Sequence, residues 1–377
     1  MNKKAFRLFA AMIAIFMLAS CFVGLSACQD DGDAILIGVL APLSGTESAY
    51  GKDMLNSYKL AVEEINAAGG VLGKKLKLYE QDDGADPTMA NTAASKIISK
   101  GVDFVVGGYA SGAITPTMQM FYDEDLLLLI SCANSTKITE KGLNQSFMIN
   151  SPGTHAVVTL TQLLRHVGAK KIALIHQGDD YTQNLADLCI AGIPSGEFEI
   201  VAVELTAKDE PDVSAIVTNV RNSGADFVYW CGYHADGSNV IKQLRRGGYE
   251  GVICVGDGSA DVDLIEACGA DGEGVYATSP PFVKFSEGGQ KFFDDYKKKF
   301  SREPGTYATL AYDTIYLLKA AIEKANSLET AAVRDAVQDI EFKGLSGLIK
   351  FTPEREPALS NFMILQIKDG DFTLVTP

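Results

Sequence analysis

Short apolar segments alternate with helical segments from residue 35 onward, and this alternation limits the possible folds more than any other feature. The run Ile35–Leu40 (ILIGVL) predicts a strand. The next segment, 51–68, predicts a helix, because its apolar residues recur every three or four positions. A second strand is predicted at 75–83, and Pro87 opens a second helix. This order is typical of a parallel sheet covered by helices.

The alternation runs through two successive series of strands. Further strands are predicted at 102–108, 126–131 and 147–150, and then at 171–176, 198–204, 226–232 and 251–257. After Thr278 the pattern changes, and helices are predicted at 288–300, 306–325 and 328–339, followed by short strands at 347–351, 361–367 and 372–377. Two such series predict an α/β protein with two doubly wound, Rossmann-like lobes.

The N-terminal 27 residues have the composition of an export signal. Basic residues precede a mostly apolar run from Leu8 to Leu25, and the first acidic residue is Asp30. The sequence Leu-Ser-Ala-Cys that ends at Cys28 predicts a lipoprotein cleavage site, because the chain becomes polar directly after it. Leu-Ala-Ser-Cys, ending at Cys21, is the other candidate box. An uncleaved membrane anchor and ordinary secretion are the alternatives to lipidation.

Charge and cysteine content narrow the class of protein. Segment 1–27 carries three basic and no acidic residues, so the remainder has 30 basic and 48 acidic residues and a net charge of −18. This balance argues against nucleic acid as a partner. The length of the chain predicts two domains. The five cysteines beyond residue 28 are scattered and odd in number, which does not indicate a disulfide framework.

Catalytic and cofactor motifs are absent from the sequence. No GxGxxG follows a predicted strand, GGVLGKK (69–75) lacks the spacing of a P-loop, and no serine stands in a GxSxG motif. The four histidines have no metal-ligand spacing and are expected at the surface or near a hinge. The sequence therefore predicts no enzyme activity, no cofactor and no metal site.

Polar and aromatic residues follow several of the predicted strands. These residues are Ser111, Cys132 to Asn134, Tyr181, Tyr233 and Asp257. In open α/β sheets, ligands bind beyond the carboxyl ends of the strands, so we expect these residues to line one cleft between the lobes. Ser111 lies at a predicted helix N-terminus, which favours an anion, while Gly107 and Gly108 would let a ligand approach the backbone. No base accompanies Ser111, so it is interpreted as a hydrogen-bond donor.

Several longer stretches resemble one family of proteins. IGVLAPLSGTESAYGKDM, AVEEINAAGGVLGKKLKL, FVVGGYASGAITP, DFVYWCGYH and VGDGSADV are similar to the bacterial leucine/isoleucine/valine-binding proteins, and the resemblance runs from Ile35 to Val375. These are the extracytoplasmic solute-binding components of branched-chain amino acid ABC transporters, with the type I periplasmic binding protein fold. The resemblance implies a receptor that closes on a small solute between two lobes.

The resemblance also implies ligand-binding roles for individual residues. Ser111 stands where the family binds the ligand α-carboxylate, and Asp257 where it has a glutamate against the α-ammonium. Cys132 stands where a backbone carbonyl accepts from the ammonium, and Asn134 where a threonine is usual. Three tyrosines match aromatic residues that line or close the pocket: Tyr50, Tyr181 and Tyr233. The changes at Asn134 and Asp257 leave the identity of the ligand open.

The same residues have simpler interpretations. Ser111 could serve only as a helix N-cap, and Asp257 only as a turn residue. The tyrosines could be ordinary half-buried aromatics. The family's disulfide near the first cleft wall has no counterpart, because the matching positions are Ala85 and Ala110.

The domain and function expectations follow from the resemblance. It implies a first lobe of residues 34–152 and 282–359, and a second of 153–281 and 360–377. The expected function is capture of a small amino acid, with leucine, isoleucine or valine first, for delivery to a membrane ABC permease by a monomeric, lipid-anchored, extracytoplasmic protein. Alternatives are another amino acid, a small amide or an aromatic carboxylate as ligand, a sensor subunit, or, less favoured, a secreted α/β enzyme.

Overall fold

The computed structural model describes residues 34–377, and its first part is a parallel five-stranded sheet. The strands are β1 (Ile35–Ala41), β2 (Leu76–Asp82), β3 (Phe104–Gly107), β4 (Leu127–Ile130) and β5 (Ser146–Met148). The helices between them are α1 (Ser48–Ala67), α2 (Pro87–Lys100), α3 (Ser111–Asp123) and α4 (Thr136–Glu140). The spatial order is β2-β1-β3-β4-β5. All neighbouring pairs are parallel, as the alternation predicts.

The second series of strands and helices follows residue 152. Its helices are α5 (Gly153–Val167), α6 (Asp180–Gly192), α7 (Ser214–Ser223), α8 (His234–Arg246) and α9 (Val262–Cys268). Its strands are β6 (Lys171–His176), β7 (Glu199–Leu205), β8 (Phe227–Cys231), β9 (Val252–Val255) and β10 (Tyr276–Ser279). The prediction missed β10, because four residues carry too little pattern to separate a strand from a loop.

Three helices and a hairpin then return to the first sheet. They are α10 (Gly289–Phe300), α11 (Ala308–Ala325), α12 (Thr330–Gln338), β11 (Glu341–Gly344) and β12 (Gly347–Lys350). One buried cluster joins Ile37 of β1, Met54 of α1, Ile315 of α11 and Val333 of α12. The apolar stripe of α11 therefore forms part of the core of the first lobe, although more than 200 residues separate it from β1. The hairpin strand β11 was also not predicted.

The last two strands complete the second sheet. β13 (Met363–Lys368) pairs antiparallel with β10, and β14 (Asp371–Val375) pairs antiparallel with β13. The order of the seven-stranded sheet is β14-β13-β10-β9-β8-β6-β7. The protein thus has two lobes, one built on each sheet. Within residues 34–377, no helix is long and apolar enough to cross a membrane.

The order of the parallel strands reverses once in each of the two large sheets, and these reversals position the site. In the first sheet the chain runs outward from β1 to β2 and then back across to β3, and in the second from β6 to β7 and back to β8. The crevice beyond the strand ends at such a reversal is where open α/β sheets bind ligands. The residues after β3, β4, β8 and β9 meet between the lobes and form the cleft described next.

Candidate functional site

Asp257 is the central group of the cleft. It follows β9 in a single 3₁₀ turn, and only 1% of its surface is exposed. The Tyr181 hydroxyl donates to Oδ1 at 2.7 Å, while Asn134 Nδ2 and the Tyr307 hydroxyl donate to Oδ2 at 2.9 and 3.2 Å. Donors from both lobes therefore meet on one buried carboxylate.

Asn150 is a fourth donor to this carboxylate, and sequence reasoning missed it. Its Nδ2 lies 2.8 Å from the Cys132 carbonyl oxygen and 3.4 Å from Asp257 Oδ2. Its Oδ1 is buried and has no hydrogen-bond donor among residues 34–377. A buried amide oxygen without a donor is costly, so this atom is a natural acceptor for an incoming N–H group. The Cys132 carbonyl, by contrast, already accepts from Asn150.

Burial controls the electrostatics of Asp257. Removal from water raises the pKa of its carboxyl above the ordinary value, and the donors Tyr181, Tyr307 and Asn150 oppose that rise by stabilising the anion. Within residues 34–377 the hydrogen bonds to this carboxylate come from neutral groups. A cationic ligand group would therefore supply the countercharge that a buried carboxylate needs.

Ser111 is buried and is the first residue of α3. Ala110 occupies the N-cap position, and the Ser111 hydroxyl makes no capping bond. Instead, Ser111 Oγ accepts from the Ser135 amide at 3.3 Å. The N-cap interpretation of Ser111 is therefore wrong. A hydroxyl at a helix N-terminus, where free amides and the positive dipole end lie, favours an anionic ligand group.

The two glycines before Ser111 have a structural role that differs from the expected one. Gly107 has φ of 138°, and an added Cβ would lie 2.0 Å from the Leu40 carbonyl oxygen. The Gly108 amide donates to that oxygen at 2.9 Å. The glycines thus allow the end of β3 to pack against β1, rather than leaving room for a ligand.

Aromatic rings surround the space in front of Asp257. Tyr181 contacts Tyr233 with ring centroids 5.5 Å apart, and Tyr233 contacts Tyr109 at 6.0 Å. Tyr109 contacts Tyr307 at 5.7 Å, and Tyr181 and Tyr307 both donate to Asp257. Four tyrosines and one carboxylate therefore form a closed circuit of contacts, which we call the tyrosine circuit.

Tyr50 supports the tyrosine circuit from the first lobe. Its ring stacks on Tyr109 at 5.0 Å, with 20° between the ring planes, and meets Tyr307 edge-on at 5.8 Å. Its hydroxyl lies 3.4 Å from the Gly258 carbonyl oxygen in the second lobe. Burial raises the pKa of the Tyr50 phenol well above its usual value, so this hydroxyl is a neutral donor.

A cavity of about 350 Å³ lies at the mouth of the cleft. Its walls include Glu47, Ala110, Gly112, Asp179 and Tyr233. Ala110 and Gly112 flank Ser111, and Tyr233 belongs to the tyrosine circuit, so this mouth cavity adjoins the inner site. It is large enough to admit a small solute or to hold part of one.

The structure brings all seven predicted site residues together around Asp257. Tyr50, Cys132, Asn134, Tyr181 and Tyr233 each contact Asp257, the tyrosine circuit or the donor Asn150. Ser111 contacts Ser135, the residue that follows Asn134. Sequence reasoning missed five others: Glu47, Tyr109, Asn150, His234 and Tyr307. The expectation that the histidines lie at the surface or near a hinge is wrong for His176, which is buried at the end of β6, while His234 is half-buried and borders the cleft.

Comparisons with known proteins agree with this architecture. Residues 34–371 match the family described as periplasmic binding protein. A Leu/Ile/Val-binding protein homolog from Brucella melitensis is 30% identical over 340 residues, which cover 89% of this chain and 92% of that protein.

Two solved structures extend the comparison to three dimensions. A leucine-binding protein from Thermotoga maritima superposes with a TM-score of 0.85 at 23% identity, over 91% of this chain and 98% of its own. A branched-chain amino acid transporter substrate-binding protein from Streptococcus pneumoniae, in complex with isoleucine, gives 0.83 at 24% identity, over 91% and 100%. The chain therefore belongs to the periplasmic binding protein family and is a homologue of the Leu/Ile/Val-binding proteins.

Proposed function

We propose that this protein captures a small α-amino acid between its lobes and delivers it to the permease of an ABC transporter. Leucine, isoleucine and valine are the first ligands to test, because relatives carry the name Leu/Ile/Val-binding protein. The family relationship supports an extracytoplasmic solute-binding protein rather than an enzyme. One observation carries the proposal most directly: the buried Asp257 carboxylate beside the unpartnered Oδ1 of Asn150.

The inner end of the cleft suits the α-ammonium group of an amino acid. Asp257 supplies the negative charge, and the amide of Asn150, whose Nδ2 lies 3.4 Å from Asp257 Oδ2, carries a neutral acceptor, Oδ1, without a donor among residues 34–377. A charge-assisted hydrogen bond to a buried carboxylate is stronger than one between neutral groups. An ammonium group in this position would satisfy both acceptors.

The wall formed by α3 suits the α-carboxylate. Ser111 Oγ can donate its proton to a ligand oxygen while it accepts from the Ser135 amide. The first amides of α3 add donors, and the helix dipole favours negative charge there. Together with Asp257, this wall offers a zwitterion complementary charge at each end.

Contacts between the lobes support closure around the ligand. Lys137 of the first lobe pairs with Asp180 of the second at 2.9 Å, and Asn184 of the second donates to Thr136 of the first at 3.0 Å. We take the moving bodies to be residues 34–152 with 282–359, and residues 153–281 with 360–377. Ligand binding would shift the population toward the closed form, which the permease would recognise.

The proposed attachment to the membrane depends on Cys28, which lies outside the described residues. Lipidation of Cys28 after cleavage would tether a monomeric receptor beside its permease. Mass spectrometry of the membrane-extracted protein would test this step. A diacylglycerol adduct on Cys28 is expected, and its loss in a Cys28→Ser variant would support the assignment. An adduct on Cys21 would contradict it.

Ligand capture can be tested by thermal unfolding of the chain expressed without residues 1–28. The twenty common amino acids would be added singly, and those that stabilise the protein would be titrated by calorimetry. A ligand at 100 times its dissociation constant adds about 2.7 kcal/mol to the free energy of unfolding. If no amino acid shifts the transition while an amide or an aromatic carboxylate does, the proposed ligand class is wrong.

A further inference from the structure

A second buried carboxylate, that of Glu47, borders the mouth cavity. Glu47 precedes α1, and 3% of its surface is exposed. The Tyr109 hydroxyl donates to Oε2 at 2.9 Å, and His234 Nδ1 lies 3.7 Å from the same oxygen. Among residues 34–377, the side-chain hydrogen bond to this carboxylate is accepted by Oε2. The other oxygen, Oε1, can therefore accept a hydrogen bond from a ligand.

The charged groups around the mouth cavity are mostly acidic. Glu47, Asp179 and Asp180 line it, whereas Lys208 is its basic wall residue and is exposed to solvent. Asp180 is neutralised by Lys137, and Asp179 accepts from the Tyr181 and Thr182 amides at the start of α6. Glu47 is the wall carboxylate that combines deep burial with an oxygen available to a ligand.

His234 reduces this negative charge only in part. Its neighbour Glu47 raises the pKa of the imidazole above the ordinary value against the opposing effect of burial. Its Nδ1 is buried and lies beyond hydrogen-bond distance of Glu47. Asp257 lies on the other side of the tyrosine circuit, so the cleft holds two buried carboxylates, Glu47 and Asp257, against one histidine.

The pKa values of two tyrosines in the cleft are raised by burial and by these carboxylates. Burial raises the pKa of Tyr109, and Glu47 raises it further. The pKa of Tyr233 is raised by burial, then by Asp179, Glu47 and Asp257. Glu47 and Asp179 line the mouth cavity and Asp257 lies at the inner end, and such an excess of carboxylates favours cationic over anionic solutes.

We propose that the mouth cavity is a side-chain subsite in which Glu47 Oε1 binds an ammonium group. The preferred ligand is then an α-amino acid with a short basic side chain, held by Asp257 and Ser111 at its α-groups and by Glu47 at its far end. This inference depends on the proposed function and narrows it. A purely aliphatic side chain would leave Glu47 Oε1 buried without a donor.

Two amino acids of the same shape test the subsite. L-2,4-diaminobutyrate and L-norvaline differ in one terminal group, which is an ammonium in the first and a methyl in the second. We expect calorimetry at neutral pH to give at least tenfold tighter binding of L-2,4-diaminobutyrate. In the Glu47→Gln variant the preference should disappear, and in Glu47→Asp, which keeps the charge, part of it should persist.

The outcomes separate this inference from the proposed function. If L-norvaline binds the wild-type protein as tightly as L-2,4-diaminobutyrate or more tightly, the subsite is wrong and amino acid capture stands. If the preference is present but unchanged in Glu47→Gln, Glu47 is not the group that creates it and the proposal fails. If neither compound binds, and no common amino acid binds, the proposed function fails together with the subsite. Thermal unfolding without ligand verifies that both variants are folded.

Discussion

The two ends of the cleft use the same chemical group in different surroundings. At the inner end, Asp257 accepts from four side chains contributed by both lobes. At the mouth, Glu47 accepts from Tyr109 and borders a cavity of about 350 Å³. A carboxylate fixed by many donors has one geometry, whereas one with a free oxygen can accept a varying partner. The inner end therefore suits the groups that all amino acids share, and the mouth suits the side chain.

Removal of the inner carboxylate should have the largest effect on binding. Asp257→Ala is expected to weaken amino acid binding by about 2–5 kcal/mol, because it leaves a ligand ammonium buried without a countercharge. Calorimetric titration measures the change. Asp123→Ala, an exposed aspartate on α3, is the matched control and should bind like the wild type. Unchanged affinity in Asp257→Ala would mean that the ammonium binds elsewhere.

Loss of the donor at α3 should have a smaller effect. Ser111→Ala removes one hydroxyl from the carboxylate wall and should cost about 1–2 kcal/mol of binding free energy, since the helix amides remain. The melting temperature should fall only modestly, because the Ser111 side chain caps no helix and accepts a single long hydrogen bond, from the Ser135 amide at 3.3 Å. Ser95→Ala, an exposed serine on α2, is the control. A large loss of stability with intact binding would return Ser111 to a structural role.

Tyr307 allows a finer test of the inner end. Tyr307→Phe removes the hydroxyl that lies 3.2 Å from Asp257 Oδ2 and keeps the ring in the tyrosine circuit. We expect affinity to fall by about 0.5–1.5 kcal/mol, the usual range for one hydrogen bond. The same change at the exposed Tyr122 should have no effect. If Tyr307→Phe strengthens binding instead, the hydroxyl competes with the ligand for Asp257.

Removal of another buried carboxylate, that of Asp53 in α1, should leave ligand binding unchanged. Burial raises its pKa from 3.8 to about 7, while the Tyr296 hydroxyl and the Gly305 amide stabilise its anion. Between pH 3.8 and about pH 7, the folded protein therefore binds more protons at Asp53 than the unfolded chain does. The free energy of unfolding consequently falls as the pH rises through this range.

The Asp53→Asn variant isolates this effect. Its unfolding free energy should depend less on pH between about 4 and 7, because an amide cannot ionise. Part of the pH dependence should remain in this variant, because burial also raises the pKa of Asp83 to about 7. Chemical denaturation at several pH values measures the slope, and calorimetry measures binding. An unchanged slope would mean that Asp53 stays charged in the folded protein.

The sequence was informative where local pattern determines structure. The alternation predicted most of the parallel strands of both large sheets, and the strand ends led to Ser111, Asn134 and Asp257, because a strand and its following helix are adjacent in the chain. The prediction was less complete in the last part of the chain, because β10 and β11 have only four residues each. Strands this short are stabilised by the sheet around them rather than by their own residues.

The site residues that the sequence did not predict were missed for a different reason. Tyr307, the residue directly before α11, lies 50 positions along the chain from Asp257, and Asn150 lies 107 positions from it. No periodicity or motif marks such a residue, because its place depends on how the lobes pack. Tyr109 lay inside a segment whose glycines and serine were interpreted first. Its role became visible only through its contacts with Tyr50, Tyr307 and Glu47.

Within residues 34–377, three of the four side-chain hydrogen bonds to Asp257 cross from one lobe to the other, since Asn134, Asn150 and Tyr307 belong to the first lobe and Tyr181 to the second. In the proposed opening and closure, water replaces these three donors when the lobes separate and leaves when they rejoin. Solute exchange is thereby coupled to wetting and drying of a single carboxylate. The rate at which a captured solute is released will then depend on how readily water reaches Asp257.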